Sequence, residues 1–98
     1  MQVTVYILRC ADGSCYTGLT RETVEARVWK HNNDPIDSYT ARRRPVVLVF
    51  CEIFERLTDA IARERQIKGW SRAKKEALIR GDYEALPGLS SRPRQPSS

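Results

Sequence analysis

The run VTVYILR at residues 3–9 is apolar on both of its alternating faces, with Val3, Val5 and Ile7 on one side and Thr4, Tyr6 and Leu8 on the other. A strand of that kind needs cover on both faces, which predicts a central place in a sheet. Asp12-Gly13 follows, a dipeptide suited to a tight hairpin turn, and residues 14–18 read as the returning strand. The chain therefore opens with a predicted β-hairpin in which Tyr6 and Tyr16 share one face, opposite Val5 and Ile7.

The rest of the chain predicts helices packed on that sheet. Thr20 reads as the N-cap of a helix running to about Asn32, which ends before Pro35 because the residue preceding a proline is pushed out of the helical region. A polar loop is expected over residues 35–44. Pro45 then opens VVLVFCEIF, a β-branched and aromatic run predicted to be a third, well-buried strand. Thr58 and Asp59 start a second helix to about Lys68, Gly69 stops it, and Ser71 caps a short third helix that ends before Gly81. The order is β-β-α-β-α-α. The expected class is α/β of the α+β kind: a small central three-stranded antiparallel sheet flanked by helices.

Ninety-eight residues with 41% hydrophobic side chains support one small core, placed here in residues 1–85. From Leu86 onward the composition shifts to Pro, Gly, Ser and Arg, so residues 86–98 are expected to be a disordered tail. Arg outnumbers Lys thirteen to four within a net charge of +5. Arginine's planar fork suits bidentate phosphate contacts, although a solvated basic surface without a ligand fits the charge equally well. Cys10, Cys15 and Cys51 have no CxxC spacing and share the chain with one histidine, so zinc is not expected and buried reduced thiols account for all three. No apolar run approaches the roughly 20 residues of a bilayer span, and nothing at the N-terminus reads as a signal peptide. A cytoplasmic protein without a membrane partner is the expectation.

Two helices place polar groups on apolar faces. In the second, Leu57, Ala60, Ile61, Glu64, Ile67 and Lys68 share one stripe, which sets the Glu64 carboxylate among core-facing residues. A buried carboxylate is costly alone, and it has three remedies: a salt bridge, protonation or a divalent metal. In the first, Arg27 and His31 lie on the inward face that Val24 and Val28 define. Pairing with Glu64 would satisfy Arg27, and a partner at the rim of the core would satisfy His31. Trp29 and Trp70 read as core or rim packing.

The order of parts resembles the GIY-YIG nuclease superfamily: VYI, a turn, YTG, a helix carrying ARVWKHN, an apolar strand, and a helix carrying ARERQIKGWSRAKK. The resemblance covers roughly residues 3–80 and is greatest to small stand-alone bacterial members, UPF0213-like proteins. It implies a divalent-metal-dependent endonuclease in which Tyr6, Tyr16, Arg27, His31 and Glu64 are catalytic and Gly18 supports the site. Glu64 would be the one protein ligand of a single Mg²⁺ or Mn²⁺ ion. Larger members carry a Lys after the YIG motif and an Asn about a dozen residues past the glutamate, where this chain has Leu19 and Glu76.

The expected partner is nucleic acid, DNA before RNA, gripped by Arg42, Arg43, Arg44, Lys68, Arg72 and Lys74. A monomer with one site would nick one strand of structured or single-stranded DNA in repair or processing. Two other readings keep the fold without turnover: a nucleic-acid-binding module, and an adaptor recruited to a repair complex.

Overall fold

The computed structural model describes residues 2–33 and 39–82. The elements follow in the expected order: β1 (Val3–Arg9), β2 (Cys15–Thr20), α1 (Val24–Asn33), β3 (Val47–Phe54), α2 (Leu57–Lys68) and α3 (Arg72–Arg80). The three strands form one antiparallel sheet in the order β2-β1-β3. β1 is central, as its doubly apolar pattern requires.

Its two faces build two cores. Val3, Val5 and Ile7 pack with Ala60, Ile67 and Leu78 from α2 and α3. Tyr6 and Leu8 point the other way and pack with Cys10, Val46, Tyr16, Val28 and Leu48, on the side that α1 covers. The hairpin register sets Tyr6 directly opposite Gly18 and Leu8 opposite Tyr16. The two phenols are therefore diagonal neighbours on the α1 face, within reach of each other.

Local chemistry explains most element ends. Gly13 adopts φ 87° in the hairpin turn, where Asp12 Oδ1 accepts from the Ser14 amide at 3.0 Å. Ser71 caps α3 by accepting from the Lys74 amide at 3.2 Å, and Gly81 closes it in the left-handed region. Four expectations need correction. Thr20 ends β2 and is not the cap of α1; Thr23 does that work, accepting from the Ala26 amide at 3.2 Å. The third strand is an edge strand with no fully buried residue, because α1 and α2 cover it only in part, and Val47, Cys51 and Ile53 are exposed. Cys51 is thus a surface thiol, while Cys10 is buried and Cys15 half-buried. Trp29 also stands exposed on α1 rather than in a core.

Pro35 and the expected tail at 86–98 lie outside the described residues. Among the described residues no helix is long and apolar enough to cross a membrane.

Candidate active site

Asn32 fixes α1 against the sheet by acting as a strand partner. Its amide nitrogen donates to the Val46 carbonyl at 3.1 Å, and its oxygen accepts from the Val46 amide at 2.8 Å. Arg44 strengthens the same joint by donating from Nε to the His31 carbonyl at 2.6 Å. The preceding loop folds back on the hairpin, with the Ala11 amide donating to the Arg43 carbonyl at 2.9 Å. These contacts bring β1, β2, α1 and the loop at 39–44 to one place.

Tyr6 is only 1% exposed, and its hydroxyl lies 3.0 Å from His31 Nε2. His31 Nδ1 lies 2.8 Å from the hydroxyl of Thr40, itself buried. A neutral histidine satisfies both contacts if Tyr6 donates to Nε2 and Nδ1–H donates to Thr40, giving a Tyr6–His31–Thr40 chain. The Tyr16 ring packs on the His31 ring at 5.1 Å and on the Tyr6 ring at 6.4 Å, with Tyr39 beyond it at 5.9 Å.

Gly18 makes room for this cluster. A Cβ at that position would fall 2.5 Å from the Tyr6 hydroxyl oxygen and 2.9 Å from Tyr16 Cε2. The phenol thus occupies the space of the missing side chain, which is the close approach that only glycine permits.

Burial pushes the Tyr6 phenol above its ordinary value, while the neighbouring Arg27 guanidinium pulls in the other direction without overcoming it. Arg27 is in turn held protonated first by Tyr6 and then by Glu22, whose carboxylate is 3.9 Å away. Its Nε is buried, with no hydrogen-bond partner among the described residues. The side chain as a whole is 30% exposed, so the outer edge of the guanidinium is open to an incoming anion.

Glu64 does not pair with Arg27. Its carboxylate is 15% exposed and binds Lys68 Nζ at 2.5 Å, one turn along α2. That contact is the main reason the Lys68 ammonium titrates above its usual range, and Tyr16 and Tyr6 add to it. Lys68 is 53% exposed, so the Glu64–Lys68 pair sits at the surface of α2. Among the described residues no three His, Cys, Asp or Glu side chains are grouped as metal ligands. A single carboxylate fits a magnesium-type ion, which takes one or two protein carboxylates and completes its shell with water and phosphate oxygens.

The expected nucleic-acid contacts are divided. Arg43 stacks on Tyr39 at 4.0 Å and donates to Asp12 Oδ2 at 3.1 Å. Arg72 is exposed and donates to the Gly13 carbonyl at 3.0 Å, and Arg42 is exposed. Arg44 is engaged in the α1 joint described above. Lys74 is the correction in this set: it is buried, with its ammonium 4.4 Å from the centre of the Trp70 ring, because its place in α3 faces the core. Glu76, where larger relatives have Asn, holds Arg9 through two bonds of 2.6 and 2.7 Å. Thr40 has no sequence signal, since it comes from a polar loop whose path depends on tertiary contacts, and Tyr39 is marked in the sequence only by lying near the Arg42–Arg44 run.

A family model described as the GIY-YIG catalytic domain matches residues 2–77. A UPF0213 protein of Staphylococcus saprophyticus is 48% identical over 75 residues, spanning 76% of this chain and 90% of that protein. A UPF0213 protein of Staphylococcus aureus is 49% identical over 76 residues, spanning 78% and 92%. The solution structure of a UPF0213 protein of Bacillus halodurans, 40% identical, superposes with a TM-score of 0.55 over 94% of this chain and all of that one. A protein of E. faecalis, 33% identical, does so with a TM-score of 0.58 over 97% and 95%.

Proposed function

The chain belongs to the GIY-YIG family, a family of nucleases, and on that premise we propose that it is a divalent-metal-dependent endonuclease that nicks DNA during repair or processing. The observation that carries the reading is the Arg27 guanidinium beside Tyr6, whose buried Nε has no hydrogen-bond partner among the described residues, next to the rings of Tyr16 and His31. A cation so placed is suited to an anionic substrate.

Arg27 binds the phosphoryl oxygens and opposes the charge that develops on them. Tyr16, partly exposed, hydrogen-bonds the attacking water or the phosphate. Tyr6 stays protonated near neutral pH, since burial raises its pKa, so it orients rather than removes a proton unaided. A proton arriving at its oxygen can pass to His31 Nε2 as Nδ1–H is shared with Thr40. Glu64 is the residue that would hold one Mg²⁺ or Mn²⁺ in place of its present partner, Lys68. When bound, the ion would polarise a phosphoryl oxygen and acidify a coordinated water. Lys68 must release Glu64 for this to happen.

One such site per chain cuts one strand per encounter. Supercoiled plasmid and flapped DNA incubated with Mg²⁺ or Mn²⁺ should give a nicked product that chelator suppresses. Linear product from a verified monomer, with no nicked intermediate, contradicts nicking. The Glu64–Lys68 ion pair also favours a second reading, a binding module without turnover. That reading predicts metal-independent, salt-sensitive binding and no cleavage.

A further inference from the structure

Next to the tyrosine cluster, Ser14, Cys15, Tyr39, Arg72 and Lys75 line a cleft of about 190 Å³. Sites for drug-sized ligands run from about 300 to 1,000 Å³, so this one has room for a single small group. Its charge is positive. Among the described residues Lys75 has no ion-pair partner, and Arg72 reaches toward the turn carbonyl of Gly13 with most of its side chain in solvent. Two carboxylates lie nearby and both are paired: Glu76 is held by Arg9 through two short bonds and lies 3.9 Å from Arg72, and Asp12, bonded to Ser14, is held by Arg43 at 3.1 Å.

The wall of the cleft is aromatic and continuous with the active site. Tyr39 is 43% exposed, carries the Arg43 guanidinium on its ring and packs against Tyr16. An exposed tyrosine and a guanidinium plane are the two surfaces on which unpaired bases stack. A base in a duplex is already stacked and cannot use them. We propose that this cleft binds one unpaired nucleotide flanking the scissile phosphate, with its phosphate between Arg72 and Lys75 and its base on the Tyr39–Arg43 surface. The proposal rests on the nuclease reading and deepens it by naming the substrate class: DNA with a single-stranded flank.

The test is equilibrium binding of a labelled single-stranded oligonucleotide and its blunt duplex, without metal ions, across a salt series. Tyr39→Leu should weaken single-strand binding about tenfold and duplex binding less than twofold, while Tyr39→Phe, which keeps the ring, stays within twofold of wild type. Lys75→Gln should lower the salt slope on single strands by about 0.7, the loss of one phosphate contact. Equal losses on both DNA forms, an unchanged affinity in Tyr39→Leu, or no wild-type binding to single strands would overturn the proposal. If Tyr39→Leu does not fold, the Lys75→Gln slope decides, since that side chain is not in a core. None of these measurements needs turnover, so a failed nuclease activity and a failed cleft give different results.

Discussion

Replacing Gly18 with alanine tests how tightly the tyrosine pair is built. The added Cβ would stand 2.5 Å from the Tyr6 oxygen, 2.6 Å from Tyr6 Cζ and 2.9 Å from Tyr16 Cε2. These are roughly 1 Å inside van der Waals contact. Tyr6 cannot withdraw cheaply, because it is buried between α1 and the sheet and bonded to His31. Overpacking of this kind costs about 1–3 kcal/mol, offset by about 0.5–1 kcal/mol from the reduced freedom of the unfolded chain. The net destabilisation should be about 1–2 kcal/mol, or a fall in Tm of about 5–15 °C for a domain of this size. Urea denaturation of Gly18→Ala, Tyr6→Val and the double variant isolates the clash. In the Tyr6→Val background the alanine should cost at least about 1 kcal/mol less than in wild type, since the ring it strikes hardest is gone and only the Tyr16 edge at 2.9 Å has to shift. A Gly18→Ala protein as stable as wild type, or a double variant in which the two costs simply add, would refute the contact as the reason for glycine.

Arg27→Lys should reduce cleavage by about 100-fold or more while changing stability by less than about 1 kcal/mol, because lysine keeps the charge near Glu22 and the lost Nε has no hydrogen-bond partner among the described residues; single-turnover nicking and urea denaturation measure the two separately. The Arg9 guanidinium holds the Glu76 carboxyl below its ordinary value. A depressed carboxylate contributes stability that is present above its unfolded pKa and is lost as pH falls through the folded one, so wild type should lose stability below about pH 4.5. Glu76→Gln should flatten that loss and cost about 1 kcal/mol at neutral pH, a modest figure because the two side chains are still 31% and 26% exposed; thermal melts from pH 3 to 7 are the check.

Much of the architecture was legible because single residues had few options. The doubly apolar β1 had to be central, and the Asp12-Gly13 turn fixed a register that makes Tyr6 and Tyr16 neighbours. Period 3.6 placed Arg27 and His31 together, and the structure joins both to Tyr6. The same periodicity put Glu64 and Lys68 on one stripe, although pattern alone did not show that they would satisfy each other. What escaped depended on packing at long range. VVLVFCEIF has the composition of a buried strand, yet nothing local says whether a neighbour will cover its outer edge. Lys74 looks like a surface charge in sequence, but Trp70 gives its ammonium a ring to rest on and its stem a place in the core. Thr40 becomes part of the histidine chain only because the loop folds back on the hairpin.

If this cluster, together with Glu64, hydrolyses phosphodiesters, removing the Glu64 carboxylate should abolish cutting. The most direct measurement is the nicking rate of supercoiled plasmid in Mg²⁺ or Mn²⁺ by wild type and by a Glu64→Ala variant whose fold is verified by circular dichroism. The account predicts nicking by wild type and a loss of about 100-fold or more in the variant. Equal rates in the two proteins, or binding by both with cutting by neither, would contradict it.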